Sequence, residues 1–129
     1  MKPPEYRSTC PLSTALDLLG DKWSFVIIRD LAKRKARYKD FADSPEGIPT
    51  NILAKRLKTL EVSGVVHKAA YQNNPVRYEY FLTKSGAELL PVIQHLAKWG
   101  YKNIPGRTAP SDLFMKQTPR NLLKGQRNI

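Results

Sequence analysis

The spacing of hydrophobic residues predicts two helices in the first third of the chain. Residues Leu12 to Leu19 form a short apolar run that Gly20 ends, which is the pattern of a short helix. Asp21 is a residue type that caps helices, and it precedes a segment from 23 to 32 that is apolar on more than one face. We therefore expect this second helix to lie at the centre of the core.

The middle of the chain has the pattern of a helix-turn-helix. Residues Tyr38 to Ala42 can form a brief helix, residues 44 to 49 contain Pro and Gly and form a turn, and a longer helix runs from Thr50, or the residue before it, to about Val62. Because a helix turns about 100° per residue, the longer helix separates an apolar stripe from a polar and basic one. The apolar stripe contains Leu53, Leu57 and Leu60, and the polar stripe contains Asn51, Lys55 and Lys58.

After Gly64 the chain changes to a strand-like composition. Segments 65–71 and 77–82 are rich in Val, Tyr and Phe, and the polar residues 72–75 separate them. This pattern predicts a β-hairpin with a polar tip. A bare hairpin is marginal in water, so we expect it to pack on the helices.

A long last helix is expected after the hairpin. It begins at Thr83, or at Ser85 with Glu88 in capping-box spacing, and continues through Tyr101. Pro91 is expected to bend or tighten its first turns.

These elements predict a mainly α protein with one small β-hairpin (α+β). We divide the chain into an N-terminal arm (1–11), a domain with its terminal helices (12–104) and a basic tail (105–129). The tail has five basic residues and one Asp, a net charge of 5 − 1 = +4. Its composition alone predicts mobility, although the patch 113–115 could dock onto the body or a partner.

The charge of the whole chain favours a polyanionic partner. Twenty-two Lys and Arg stand against eleven Asp and Glu, a net charge of +11. Nucleic acid is the first expectation and an acidic membrane surface the second. No apolar run approaches the ~20 residues that a membrane-spanning helix needs, and the first residues lack a secretory signal, so we expect a cytoplasmic protein without membrane association.

The polar stripe of the longer helix suits DNA reading. Asn51, Lys55 and Lys58 could address base edges in a major groove, and Thr50 could bond a phosphate at the helix N-terminus. The alternative is an ordinary amphipathic helix with a solvated polar face.

The hairpin tip supplies a second set of candidates. Arg77, near Asn74, is suited to a minor groove or a phosphate, and Lys68 on the opposite strand is a further candidate. Alternatively, hairpin residues such as Tyr78 and Tyr80 simply pack on the helices. The basic cluster from 33 to 39 forms a solvated turn that could also lie near phosphates.

The order of several short motifs resembles the HxlR-type branch of winged helix-turn-helix transcription regulators, which is related to the MarR group. The matching segments are Cys10-Pro11, 20–23 (GDKW), 53–61 (LAKRLKTLE), 64–66 (GVV), 75–80 (PVRYEY), Leu82-Thr83, Gly86 and Trp99. The resemblance covers about residues 10 to 101. Tyr38, where the family usually has Phe, and Lys68, where it usually has Arg, are mild departures.

The resemblance implies a homodimer joined by its terminal helices that binds double-stranded DNA at an inverted repeat near a promoter, most simply as a repressor. It also implies a redox role for Cys10, since some family members sense oxidants or electrophiles at this position. A thiol at a helix N-terminus has a lowered pKa, and Arg7 or Lys22 could add to this effect if they lie close. The alternative is that Cys10 packs as a small apolar residue at the dimer interface.

We expect no enzymatic activity, cofactor or metal site. The chain has one Cys, no CxxC and no His/Cys cluster, and its two imidazoles, His67 and His95, lack an orienting third group. Trp23 and Trp99 are expected in the core, and a cavity that they line for a small-molecule effector is the less favoured interpretation.

The competing function is a winged helix that binds RNA or protein without operator specificity, with Tyr71, Tyr78 and Tyr80 as stacking residues.

Overall fold

A computed structural model of the chain describes residues 5–125 and shows a helix-rich fold with one two-stranded antiparallel hairpin. The predicted fold class is therefore confirmed. In chain order the elements are α1 (Pro11–Leu19), α2 (Ser24–Ala32), α3 (Tyr38–Ala42), α4 (Thr50–Val62), β1 (Val66–Asn73), β2 (Val76–Leu82), α5 (Lys84–Ala87), α6 (Leu90–Asn103), α7 (Asp112–Lys116) and α8 (Pro119–Lys124).

Asp21 starts α2 and also connects it to α4. Its carboxylate accepts the backbone N–H groups of Trp23 and Ser24, each at 3.0 Å, so it satisfies two N–H groups at the start of α2, although the N-cap residue is Trp23 and not Asp21. Arg56 of α4 donates to the same carboxylate at 3.1 Å. Burial opposes ionisation of Asp21, but the bonds from Ser24 and Trp23 and the charge of Arg56 outweigh it, so the pKa of Asp21 lies below its usual value.

The core is centred on α2 and α4. Ile27 and Ile28 of α2 are fully buried, and Asp30 on the same helix is held by Arg29 and by the Ser44 hydroxyl. The predicted leucine stripe of α4 is confirmed, since its three members are at most 1% exposed. They are Leu53, Leu57 and Leu60.

The hairpin has a regular register near its base and an irregularity near its tip. Val66 pairs with Leu82 and Asn73 pairs with Val76, so both strands extend one or two residues further towards the tip than predicted. The register shifts between Ala70 and Gln72, which leaves Tyr71 without a paired residue. A β-bulge of this kind bends a strand and increases its twist.

The predicted long last helix is wrong, because two helices occupy this segment. The Thr83 hydroxyl caps α5 by accepting the N–H of Gly86 at 3.2 Å, whereas Ser85 donates to the Gly64 carbonyl and does not form a capping box with Glu88. The helix is interrupted between Ala87 and Leu90. Pro91 explains the break, since it has no N–H to donate and its ring crowds the carbonyl four residues earlier.

The tail is docked on the body over the part that the structure describes. Leu122 of α8 is 1% exposed, and the Arg34 guanidinium donates to the carbonyls of Leu122 and Asn121 at 2.6 and 2.8 Å. The Gln94 amide donates to the carbonyls of Phe114 and Gln117 at 3.0 and 2.9 Å. These bonds supply donors to carbonyls at the C-terminal ends of α8 and α7, where intrahelical N–H groups run out, and the Phe114 carbonyl also accepts the N–H of Gln117.

The apolar patch 113–115 is only partly used in this docking. Phe114 packs against the core, with the Lys33 ammonium 5.8 Å from its ring centroid, but Leu113 is 76% exposed. The expectation of mobility from composition missed the docking. The division of the chain at residues 11 and 104 stays a prediction.

Candidate nucleic-acid interface

The polar face of α4 is accessible along its N-terminal half. Thr50, Asn51 and Lys55 are exposed, and within residues 5–125 the side chains of Asn51 and Lys55 take part in no hydrogen bond or ion pair. Ala54 lies one turn from Asn51 on the same face and is also exposed. This alanine was not among the predicted site residues, although its small side chain leaves room for a surface to approach the helix closely.

Lys58 and Lys68 come together around Glu61. Their ammonium nitrogens lie 3.7 and 3.8 Å from the same Glu61 oxygen, and Lys68 also lies 4.4 Å from the ring centroid of Tyr78. Lys68 therefore sits where the hairpin meets α4 and not at the hairpin tip. One carboxylate offsets part of the charge of these two cations.

The hairpin tip presents a cation to solvent. Arg77 and Asn74 are exposed, and Val76 between them is 52% exposed. The Gln72 amide donates to the Pro75 carbonyl at 3.1 Å, which closes the tip. The structure thus places a polar α4 face and a basic tip on consecutive elements.

The three hairpin tyrosines do not form an open stacking surface. Tyr80 is 7% exposed, the Arg37 guanidinium covers Tyr71, and Lys68 lies over Tyr78. Burial, reinforced by the neighbouring Tyr38, raises the pKa of Tyr80. This arrangement does not favour stacking of single-stranded RNA bases on the hairpin.

Arg37 is a residue whose role the sequence did not reveal. Its Nε donates to Glu79 at 3.1 Å, and its guanidinium carbon lies 3.7 Å from the centroid of the Tyr71 ring. In the sequence, Arg37 stands out only as a member of the basic cluster 33–39. The available signal was Glu79, because a carboxylate within a strand rich in tyrosine and phenylalanine needs a cationic partner when it is buried.

Cys10 is exposed at the residue preceding α1. The two cations proposed to influence it are engaged elsewhere: Arg7 pairs with Asp17, and the Lys22 ammonium lies 5.2 Å from the ring centroid of Trp23. The redox role of Cys10 stays a prediction.

The remaining candidate residues are one histidine and two tryptophans. His67 stacks on Phe81 with ring centroids 5.5 Å apart, and burial lowers its pKa. Trp23 packs against the core as predicted, but Trp99 is 59% exposed, so the expectation of a core position for Trp99 is wrong. Over residues 5–125 no cluster of three or more His, Cys, Asp or Glu could hold a metal ion, and no helix is long and apolar enough to cross a membrane.

Trp99 belongs to an apolar stripe on α6 that faces solvent. Val92, Leu96 and Trp99 follow a spacing of four and three residues and are 47%, 52% and 59% exposed. On α1, Leu12 and Leu16 are 68% and 48% exposed. Apolar stripes of this kind on terminal helices commonly mark surfaces that pack against another chain.

A helix-turn-helix whose second helix leads into a two-stranded wing defines the winged helix-turn-helix class. The family model described as HxlR-like helix-turn-helix matches residues 18–108, so the chain belongs to the HxlR-like family of helix-turn-helix transcription regulators. The helices α7 and α8 lie beyond the matched residues.

Relatives and solved structures agree with this assignment. The chain is 38% identical over 93 residues to the HTH-type transcriptional regulator YdeP of Bacillus subtilis, covering 72% of this chain and 73% of the relative. It is similar in structure to the redox regulator HypR in its reduced form, with 30% identity, a TM-score of 0.68 and coverage of 74% of this chain and 94% of HypR. The reduced transcriptional regulator YodB from Bacillus subtilis matches with 30% identity, a TM-score of 0.62 and coverage of 78% and 100%.

Proposed function

We propose that this protein is a homodimeric, sequence-specific repressor that binds an inverted-repeat operator in double-stranded DNA. The observation that carries the proposal is the exposed face of α4 with Asn51 and Lys55, which is held from behind by buried leucines and followed by a wing with Arg77 at its tip. The major groove is about 12 Å wide and admits one helix, which is read from its N-terminal part.

Each side chain then has a chemical role. Asn51 can bond an adenine through two hydrogen bonds, and Lys55 and Lys58 can donate to guanine or to phosphate. Thr50, at the first turn of α4, donates its hydroxyl to a phosphate. In the wing, Arg77 and Asn74 face a minor groove or the backbone, and Lys68 contributes positive charge nearer α4.

The apolar stripes on α1 and α6 support the homodimer. Burying Leu12, Leu16, Leu96 and Trp99 against a second copy would remove these side chains from water. A two-fold dimer presents two copies of α4 to half-sites about one helical turn apart, which is why an inverted repeat is expected. Leu96→Glu should convert the dimer to a monomer in analytical ultracentrifugation, whereas Lys98→Glu, on another face of α6, should leave it dimeric.

The operator is tested by selecting DNA from a random duplex pool with purified protein and then measuring affinities. An inverted repeat should emerge, and Asn51→Ala or Lys55→Ala should weaken that site by about 1–3 kcal/mol with less effect on random DNA. Arg77→Ala should weaken most sequences and reduce the salt dependence. Lys98→Ala is the matched control for loss of one positive charge. Equal losses for all variants on random DNA would contradict the assigned roles, and failure to enrich any duplex would contradict operator binding.

We propose further that Cys10 makes this binding responsive to oxidants or electrophiles. The exposed thiol supports it, as does the similarity to HypR and YodB, of which HypR is described as a redox regulator. Mild oxidants or quinones should change operator affinity in the wild type and not in Cys10→Ser. An identical response of the two proteins would rule out this role.

A further inference from the structure

One side chain of the helix-turn-helix contacts both strands of the wing. Arg37 immediately precedes α3, Glu79 lies in β2 and Tyr71 lies in β1. The Arg37 guanidinium donates to Glu79 at 3.1 Å and stacks on Tyr71 at 3.7 Å. Arg37 is 47% exposed, so the ion pair alone would be weak, but the stacking contact holds the same group from a second side.

The position of Arg37 is itself fixed by backbone hydrogen bonds. The N–H groups of Arg37 and Ala36 both donate to the Asp40 carboxylate, at 3.0 and 3.2 Å. The Ala36 carbonyl accepts the N–H of Tyr80 at 2.8 Å, so the segment before α3 runs beside β2. The guanidinium therefore extends from a rigid base onto the hairpin.

The point of contact is the place where the register of the hairpin shifts, and a bulge of this kind bends a strand. Tyr71 is the unpaired residue at the register shift, and the tip residue Asn74 lies three residues beyond it, at about 10 Å for a rise of about 3.3 Å per residue. A rotation of the hairpin by about 15° at this point would displace the tip by about 3 Å. This distance is enough to break a hydrogen bond made by Asn74 at the tip, whereas Arg77, which pairs with Gln72 one residue beyond Tyr71, moves by about 1 Å at its backbone and by more at the end of its long side chain.

We propose that Arg37 is a positioning residue that sets the angle of the wing, so that Arg77 reaches DNA while α4 occupies the major groove. This inference rests on the proposed function, since it concerns how the wing meets DNA. Arg37 acts through Glu79 and Tyr71 and does not itself bind a phosphate.

A double-mutant cycle on DNA affinity distinguishes positioning from direct contact. Arg77→Gln should weaken duplex binding about tenfold and Arg37→Gln about fivefold, while the double variant should be no weaker than Arg77→Gln alone. Lys98→Gln removes the same charge from α6 and is the matched control. If the two losses multiply to about fiftyfold, or if Arg37→Gln binds as the wild type does, the inference is overturned.

A second measurement tests, in the absence of DNA, whether the contacts of Arg37 set the wing angle. Spin labels at Asn74→Cys and Lys98→Cys, in a Cys10→Ser background diluted with unlabelled protein, report the distance from the wing tip to α6. Arg37→Gln should broaden or shift this distance by about 3 Å, and an unchanged distribution would overturn the inference. Failure of the wild type to bind duplex DNA would contradict the proposed function, while the spin-label distances would still decide whether Arg37 sets the wing angle.

Discussion

Leu122 provides a test of whether the C-terminal helices belong to the folded unit. It lies 14 residues beyond the last residue matched by the family model, and yet it is 1% exposed in the same core as α2 and α4. Replacing a fully buried leucine by alanine costs about 2–5 kcal/mol, because apolar contact is lost and a cavity remains. We expect Leu122→Ala to lower the free energy of unfolding by about 3 kcal/mol, which for a chain of this length corresponds to about 10 °C in Tm.

The loss of stability caused by Leu122→Ala cannot exceed the free energy with which α8 docks on the body. If α8 docks with less free energy than the substitution removes, α8 will detach and the measured loss will equal the docking energy. Hydrogen bonds from Arg34 to the carbonyls of Asn121 and Leu122 add to that docking energy. In the detached case, amide hydrogen exchange would increase in α8 and leave α4 protected.

The assay is urea unfolding followed by circular dichroism at one fixed protein concentration, since the proposed dimerisation would make apparent stability concentration-dependent. Leu113→Ala is the matched control, because Leu113 lies in α7 and is 76% exposed. Its effect should remain within about 0.5 kcal/mol. Equal stabilities of the two variants, with equal exchange in α8, would refute the conclusion that the tail is part of the core.

Three further predictions concern individual contacts. The Arg29 guanidinium lowers the pKa of Glu46 to about 2 from 4.5, and because the folded value is the lower one, the stabilisation is complete above about pH 5 and is lost as the pH falls towards 2. Glu46 is 37% exposed, so the face value of about 3 kcal/mol is reduced by solvent to about 1 kcal/mol, and Glu46→Gln should remove this part of the acid dependence in urea titrations at pH 2.5 and 6. Gly86→Ala should destabilise by about 2 kcal/mol or more, because its Cβ would lie 2.1 Å from the Val65 carbonyl oxygen, whereas Gly100→Ala, with open space around it, should be neutral or stabilising in the same assay. Asp21→Ala should cost about 1–2 kcal/mol, since two backbone N–H groups lose their acceptor, and a loss no greater than that of an exposed control would contradict the capping role.

Much of the fold could be predicted because its signals are local. The leucine stripe of α4, the Asp21 cap and the change of period after Gly64 each depend on residues within a few positions of one another. The polar face with Asn51 and Lys55 follows from the same periodicity, so these candidates could be named before the structure was known. The sequence predicted only a bend or a tightening at Pro91, and not the interruption of the helix before it, because a proline within an apolar pattern can bend a helix or end it.

The sequence by itself determined the order of the elements, the composition of the two faces of α4 and the basic character of the chain. Only the tertiary structure decided that Arg37 contacts both strands of the wing, that Trp99 faces solvent and that Arg34 caps a helix 87 residues further along the chain. The physical reason is range: periodicity and capping act over one or two turns of the backbone, whereas these contacts join residues whose proximity depends on how the whole chain packs.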